Sequence, residues 1–391
     1  MTILVPGSDR RDRGSRCSVA LSARLWDTQL HRKQSQSPST SDASSIVNDP
    51  CSMIPLGLGA IEGTIGHGLK RPECVLTHVS GLLFAPDWHG NGGVAVIRPD
   101  GSVIRIESSE MPLRPNGIAL EEGGTFLLAH LGDTKGGIYR LHADGAVDRV
   151  VDRVDGEPMP PANFVVVDGQ GRIWITVSTR VRPRADDYRA SACSGFVAVA
   201  EPGDTNARIV ADGLGYANEC VVDSAGKRVF VNETFARRLT GFRLADDGSL
   251  HDRTLVATFG IGIYPDGLAL DAAGGLLVTS IVSNRVLRVD PQGQATTLLD
   301  DSDDAHVAWA EAAYRADALG RPHLDTAKSR CLKNVSNLAF GGDDMRTAWL
   351  GNLLGDSLPW VRLDVPGVPM THHDVALGPL ADLGALADLP R

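Results

Sequence analysis

The sequence lacks the signatures of several large protein classes. No run of about 18 apolar residues occurs, so no transmembrane span is expected. There is no basic excess: the net charge is -10, and without a basic face nucleic acid is not an expected partner. None of the six cysteines (Cys17, Cys51, Cys74, Cys193, Cys220 and Cys331) forms a C-x-x-C pair, which excludes zinc-ribbon and thioredoxin readings. They read as reduced thiols, mostly buried, in a cytoplasmic protein. There is no G-x-S-x-G elbow and no H-E-x-x-H motif, so neither a serine-hydrolase nor a zincin nucleophile emerges. The N-terminus has no apolar core of a secretory signal, and its scattered Asp residues count against a transit peptide.

What is present divides unevenly. Residues 1–52 are rich in Ser, Arg, Gln and Asp, and QSQSPSTSDASS has no apolar periodicity; a disordered extension is expected, or a chain that starts at Met53. Residues 53–391 read as the folded unit, with ordered structure beginning between Met53 and Glu73. A hydrophobic content of 42% is enough for a sizeable core.

Six segments of that unit share one pattern. A polar residue opens a β-prone apolar run, a Gly/Asp/Ser turn follows, and a second apolar strand returns. The openings are Glu73, Asn116, Asn163, Asn218, Asp266 and Asn337, separated by 43, 47, 55, 48 and 71 residues. Second hairpin turns lie between them, near Asp100, Asp144, Asp247 and Gln292. Four short strands per 40–50 residues predict an all-β, six-bladed propeller with four-stranded blades. A β-sandwich also spaces its turns regularly, but has no reason to repeat a polar residue at one phase.

The topology places all six openings at one end of the central channel. Two carboxylates and four carboxamides converging there are costly to bury without a cation. Their hard oxygens suit one divalent cation, Ca²⁺ first, with Mg²⁺, Mn²⁺ or Zn²⁺ as alternatives. For any single residue, such as Asn116 in PNG or Asp266 in PDG, turn chemistry is an equal reading.

At these residues the sequence resembles the senescence marker protein/gluconolactonase family, which includes regucalcin-like lactonases and luciferin-regenerating enzymes. The supporting strings are RPECVL, ANECVVDSAGKRVFVNE, YPDGLALDAAGGLLV and SNLAFGGDDMRTAWL, in order and at blade spacing. The resemblance implies a propeller with one catalytic divalent metal, ligands at Glu73, Asn218 and Asp266, and Asn163 as a fourth ligand or a substrate contact. It implies a metal-dependent lactonase acting on a small lactone. Alternatives are a phosphotriesterase-like hydrolase on the same metal, and a non-catalytic binding propeller with a structural ion. Glu219 stands where the family has Gly, Pro161-Ala162 lacks an expected Arg, and Phe164 replaces an acidic residue. These departures favour a less hydroxylated ring than a sugar lactone.

The expected mechanism has the metal polarise the carbonyl while Asp266 acts as general base; hydroxide formed on the metal is the alternative. Asn116 and Asn337 share the phase without matching a family ligand. His89 and His130 sit in loops of the same face, where either could shuttle a proton or simply be a surface or core residue. The loop STRVRPRADDYRAS carries Arg180, Arg182, Arg184 and Arg189. It reads as a recruiting surface for an anionic substrate, or as a solvated loop balanced by Asp186 and Asp187. Residues 300–333 contain an Ala-rich helix from about Asp304 to Leu319, capped by Asp303 or Asp304, with Val307, Ala310 and Tyr314 on one face. It is expected to act as a lid shaped by Trp309 or Tyr314, or to bury that face in a homo-oligomer. Asn116, Asn163, His130, Arg180 and Trp309 are the candidate substrate contacts.

Overall fold

A computed structural model describes residues 60–384; the extension at 1–52, with Cys17 and Cys51, lies outside the described residues. Six sheets surround a channel, antiparallel throughout except where Arg153–Val154 pairs in parallel with Asn206–Leu214. Their innermost strands are Leu76–Thr77, Pro115–Leu120, Phe164–Val167, Ala217–Val222, Ile263–Leu270 and Val335–Gly341. The propeller expected from the repeat is therefore the fold.

Short-range chemistry sets the hairpins. Asp168 Oδ1 accepts from the backbone N–H groups of Gln170 and Arg172, and Asp271 Oδ1 from those of Ala273 and Gly275. Each acid thereby mimics a backbone turn. Neighbouring blades then bury their alternate residues against one another, as where Phe84 and Phe126 meet edge to face at 5.2 Å between blades one and two.

Two features were not predicted. Blades one to five each take four consecutive strands, with blade three widened by Arg153–Val154 and Glu157–Pro158. Blade six takes three strands from its own repeat and its outermost strand, Ile61–Ile65, from the other end of the chain. Ile65 pairs with Leu358 and Gly63 with Trp360. This closes the ring and covers an edge that would otherwise be open. The opposite end of the channel is crossed by the C-terminal segment, which bonds to blade five (Val368 N–H to Leu270 O, 3.0 Å), blade one (Val79 N–H to His373 O, 2.8 Å) and blade two (Gly123 N–H to Ala376 O, 2.8 Å). His372 in that segment is buried, and burial pushes its pKa down to about 3.

The insertion after blade five holds two helices, α1 (Asp304–Arg315) and α2 (Arg321–Asp325). Asp303 caps α1 by accepting from His306 N–H at 2.8 Å. Val307, Ala310 and Tyr314 are buried as their spacing predicts. That face packs within the chain: Tyr314 Oη donates to Phe235 O at 2.5 Å, and Arg237 pairs with Glu311 at 2.6 Å. Among the described residues no helix is long and apolar enough to cross a membrane. Of the described cysteines, Cys74, Cys220 and Cys331 are free thiols, and Cys74 and Cys220 are buried.

Candidate functional site

Five of the six predicted openings meet at one channel mouth. Glu73, Asn116, Asn163, Asn218 and Asp266 line a single cleft. Each stands two residues before the first inward apolar residue of its blade (Val75, Ile118, Val165, Cys220 and Leu268). In blades two, four and five a bulge shifts the strand pairing at this point and turns the polar side chain toward the axis. The glycines of PNG and PDG serve packing, not a turn. A Cβ on Gly117 would lie 2.8 Å from Phe164 Cα, and one on Gly267 2.4 Å from Ser336 O, both in the next blade.

Asn337 is the exception and corrects the sixth position. Counting back from Leu338 makes Ser336 the equivalent residue, and Ser336 Oγ donates to Glu73 O at 2.7 Å. A one-residue step changes which way a side chain faces. Asn337 therefore points down the channel, where its Nδ2 donates to Glu219 Oε1 at 2.8 Å. Glu219 also accepts from Leu268 N–H at 2.9 Å, tying blades four, five and six beneath the cleft. Burial, with the charges of Glu73 and Asp266 adding to it, pushes the Glu219 carboxyl well above the ordinary range. Phe164 lines the same lower channel, below the cleft.

The cleft's polar groups form a chain. Arg71 Nη2 donates to Asn116 Oδ1 (3.3 Å), and Asn116 Nδ2 to Glu73 Oε1 (2.7 Å). Asn163 Nδ2 donates to Asn218 Oδ1 (2.6 Å), and Asn218 Nδ2 to Thr234 Oγ1 (3.1 Å). Two oxygens are left over: Glu73 Oε2 and Asp266 Oδ1 are buried without a hydrogen-bond partner. Burial lifts Glu73 to about 7, and burial together with the Glu73 charge lifts Asp266 well above its ordinary value. Among the described residues no three His, Cys, Asp or Glu side chains group as a metal site. The donor set is instead two carboxylates and neighbouring amide oxygens. Unpaired, buried, hard oxygens on two carboxylates fit a divalent cation, which would satisfy both and reverse the pressure to protonate.

Tyr188, Tyr216, Phe235, Leu324 and Leu353 wall the cleft, with Arg71, Arg184 and Arg321 among them. Tyr216 holds a left-handed backbone, φ 71°, and so does Arg71, φ 58°. That conformation is strained for a bulky residue and persists only where surroundings impose it.

Several predicted contacts lie elsewhere. Arg180 is paired with Asp212 at 2.8 Å and lies over the Phe196 ring, outside the cleft; Arg184 of the same loop is the one that enters, donating to Asn163 Oδ1 at 3.1 Å. Trp309 is 46% exposed and stacks on His323, so the insertion reaches the cleft through Arg321 and Leu324 of α2 instead. Tyr314 stands behind the cleft wall, against Tyr264. His130 accepts from Arg114 N–H and packs on Tyr139, and His89 pairs with Asp87; neither lines the cleft. A cavity of about 410 Å³ opens on the opposite face, but of its two carboxylates Glu121 is already bonded twice by Arg140 and Glu122 accepts from Ala376 N–H.

Comparison with known proteins agrees with this layout. The family described as SMP-30/Gluconolactonase/LRE-like region matches residues 72–302, more than half of the chain. A 6-deoxy-6-sulfogluconolactonase of Pseudomonas putida is 26% identical over 254 residues, 64% of this chain and 72% of that protein. Two solved structures share the fold. A gluconolactonase of Xanthomonas campestris has a TM-score of 0.56 at 21% identity, covering 79% of this chain and 92% of its own. A calcium-binding regucalcin of Agrobacterium tumefaciens has a TM-score of 0.55 at 13% identity, covering 81% and 98%. A six-bladed ring with this polar mouth, matched over its first five blades, belongs to the SMP-30/gluconolactonase/LRE-like family.

Proposed function

We propose that this protein is a metal-dependent lactonase whose cation is held by Glu73, Asp266, Asn163 and Asn218. The observation that carries this is the pair of buried carboxylate oxygens, Glu73 Oε2 and Asp266 Oδ1, that nothing in the protein satisfies. Family membership and the two gluconolactonases point the chemistry toward lactones. The named calcium-binding relative supports Ca²⁺ as the first candidate.

A divalent cation bound there supplies Lewis acidity toward the lactone carbonyl oxygen. The protein's own groups do the rest. Asp266 takes the proton from the attacking water on the carboxylate oxygen that the cation leaves free, and the proton passes to the ring oxygen as the acyl–oxygen bond breaks. Asn116 and Arg184 both donate to Asn163 Oδ1, and Asn163 Nδ2 donates to Asn218 Oδ1, so this amide is oriented before the substrate arrives. Tyr188, Tyr216 and Leu324 restrict water on the open side.

The test is hydrolysis of a lactone panel after chelation, with single metals added back. Chelated protein is expected to be inactive, and Ca²⁺, Mg²⁺, Mn²⁺ or Zn²⁺ to restore activity. Activity that survives complete chelation, or no activity on any lactone with any metal, would remove this reading.

A further inference from the structure

We infer that Arg71, Arg184 and Arg321 form an anion subsite in the cleft, so that the preferred lactone carries an oxyanion substituent. This rests on the lactonase reading and names its substrate class. The three guanidinium groups come from three distant parts of the chain. Arg71 enters from the segment before blade one, Arg184 from the single-turn 3-10 helix Arg184–Asp187 in blade three, and Arg321 from the first position of α2. They converge on the one cleft that also holds Glu73 and Asp266.

Their existing partners leave most of their hydrogen-bonding capacity unspent. Among the described residues neither Arg71 nor Arg184 has a carboxylate within ion-pair distance; Arg321 pairs with Asp325, which lies on its own helix turn. Arg184 uses Nη2 alone, for Asn163 Oδ1 at 3.1 Å and Ser178 Oγ at 3.0 Å. Arg71 uses Nη2 for Asn116, while its Nε is buried with no partner. Its plane is held 4.7 Å from the Trp88 ring, and Arg184 lies 5.7 Å from the Tyr216 ring. Flat guanidinium groups fixed in this way and short of acceptors are built to receive a planar or tetrahedral oxyanion.

The sign of the cleft agrees. Glu73 and Asp266 contribute two negative charges and the arginines three positive ones, one of them shared with Asp325, so the site balances without a cation and carries an excess of two with a divalent one. That excess holds in a protein whose net charge is -10, so it is local. Field lines focused into a narrow mouth raise the encounter rate of an anion and oppose a cationic substrate. The loop arginines Arg180 and Arg189, paired with Asp212 and Asp187, do not share this role.

The experiment compares kcat/KM for a neutral δ-lactone with the same ring bearing a terminal carboxylate, phosphate or sulfonate, in wild type and in Arg184→Gln, Arg321→Ala and Arg321→Lys. Wild type is expected to prefer an anionic member, and the arm with the largest preference identifies the oxyanion. The anionic-to-neutral ratio should fall about tenfold or more in Arg184→Gln and Arg321→Ala, mostly through KM, with partial recovery in Arg321→Lys. A wild-type ratio near one, or a ratio unmoved by the substitutions, would overturn the subsite. If no lactone is turned over, the lactonase reading fails separately. The subsite is then read by calorimetric binding of the ring-opened anionic acids to wild type and Arg321→Ala. Binding that the substitution weakens sustains it; no binding, or equal binding, overturns it.

Discussion

Asp266→Asn is expected to lose lactone hydrolysis by about a thousandfold or more while remaining folded. The substitution keeps the side chain's shape and removes the carboxylate assigned to accept the water's proton. It also removes one of two carboxylate ligands. The prediction has a second half, because in chelator Asp266 is a destabilising charge: it is buried, it faces Glu73, and its Oδ1 has no partner. The chelated variant should therefore melt at or above chelated wild type. Its pH dependence follows from Glu73, whose carboxyl is lifted to about 7 from an ordinary 4.5. A raised carboxyl pKa means the folded state holds the proton more tightly than the unfolded one. Its stabilising contribution is present below pH 4.5 and is lost as pH rises through 7. Thermal melts of both proteins in chelator across that range check it. A variant that melts well below wild type would be inactive for a trivial reason, and a fully active one would remove Asp266 from the role of base.

Glu233→Ala is expected to produce the largest loss of stability, about 3–5 kcal/mol. The Glu233 carboxylate is fully buried, yet unlike Glu73 it is saturated. It accepts from Arg238 Nε at 2.8 Å and Nη2 at 2.6 Å, Arg253 Nη2 at 3.3 Å, Thr240 Oγ1 at 2.5 Å and Gly215 N–H at 2.5 Å. Burial alone would raise its pKa; the Arg238 bonds outweigh that and hold it below the ordinary value. Removing it takes this carboxylate from Arg238 and Arg253 and frees Gly215, which leads directly into the strained Tyr216 of the cleft wall. Urea denaturation should show a lower midpoint with an unchanged slope, and a change below about 1 kcal/mol would contradict the assignment. The contrast with Glu73 separates the two kinds of buried carboxylate in this protein. One is satisfied by the chain and supports the fold; the other is left open.

The blades were legible because a strand pair and its Asp-rich turns are local chemistry repeated six times. The axis was legible for the same reason, at Glu73, Asn116, Asn163, Asn218 and Asp266. It failed at Asn337 because the eye matches residue type, whereas facing is set by distance from the first core residue. Applied to Leu338, that count gives Ser336 from the sequence alone. Glu219 was noticed only as a departure from Gly; nothing local says that it would bond Asn337 118 residues away. Ring closure by Ile61–Ile65 is likewise non-local, although a last repeat with only three strands was a usable signal. The loop arginines show the limit most clearly. Arg180 and Arg184 lie four residues apart in the same string, and only folding decides that one pairs with Asp212 and the other reaches Asn163. Trp309 was chosen for its size, but helix packing turned Arg321 and Leu324 to the cleft instead.

The central claim is that the two unpaired carboxylate oxygens belong to a cation. Crystals grown after chelation and soaked in Mn²⁺ test it most directly, by anomalous diffraction. The account predicts one strong peak bonded by Glu73 Oε2 and Asp266 Oδ1, with Asn163 and Asn218 beside it, and its disappearance in Asp266→Asn. No peak in the cleft, or a peak that persists unchanged in that variant, would contradict it.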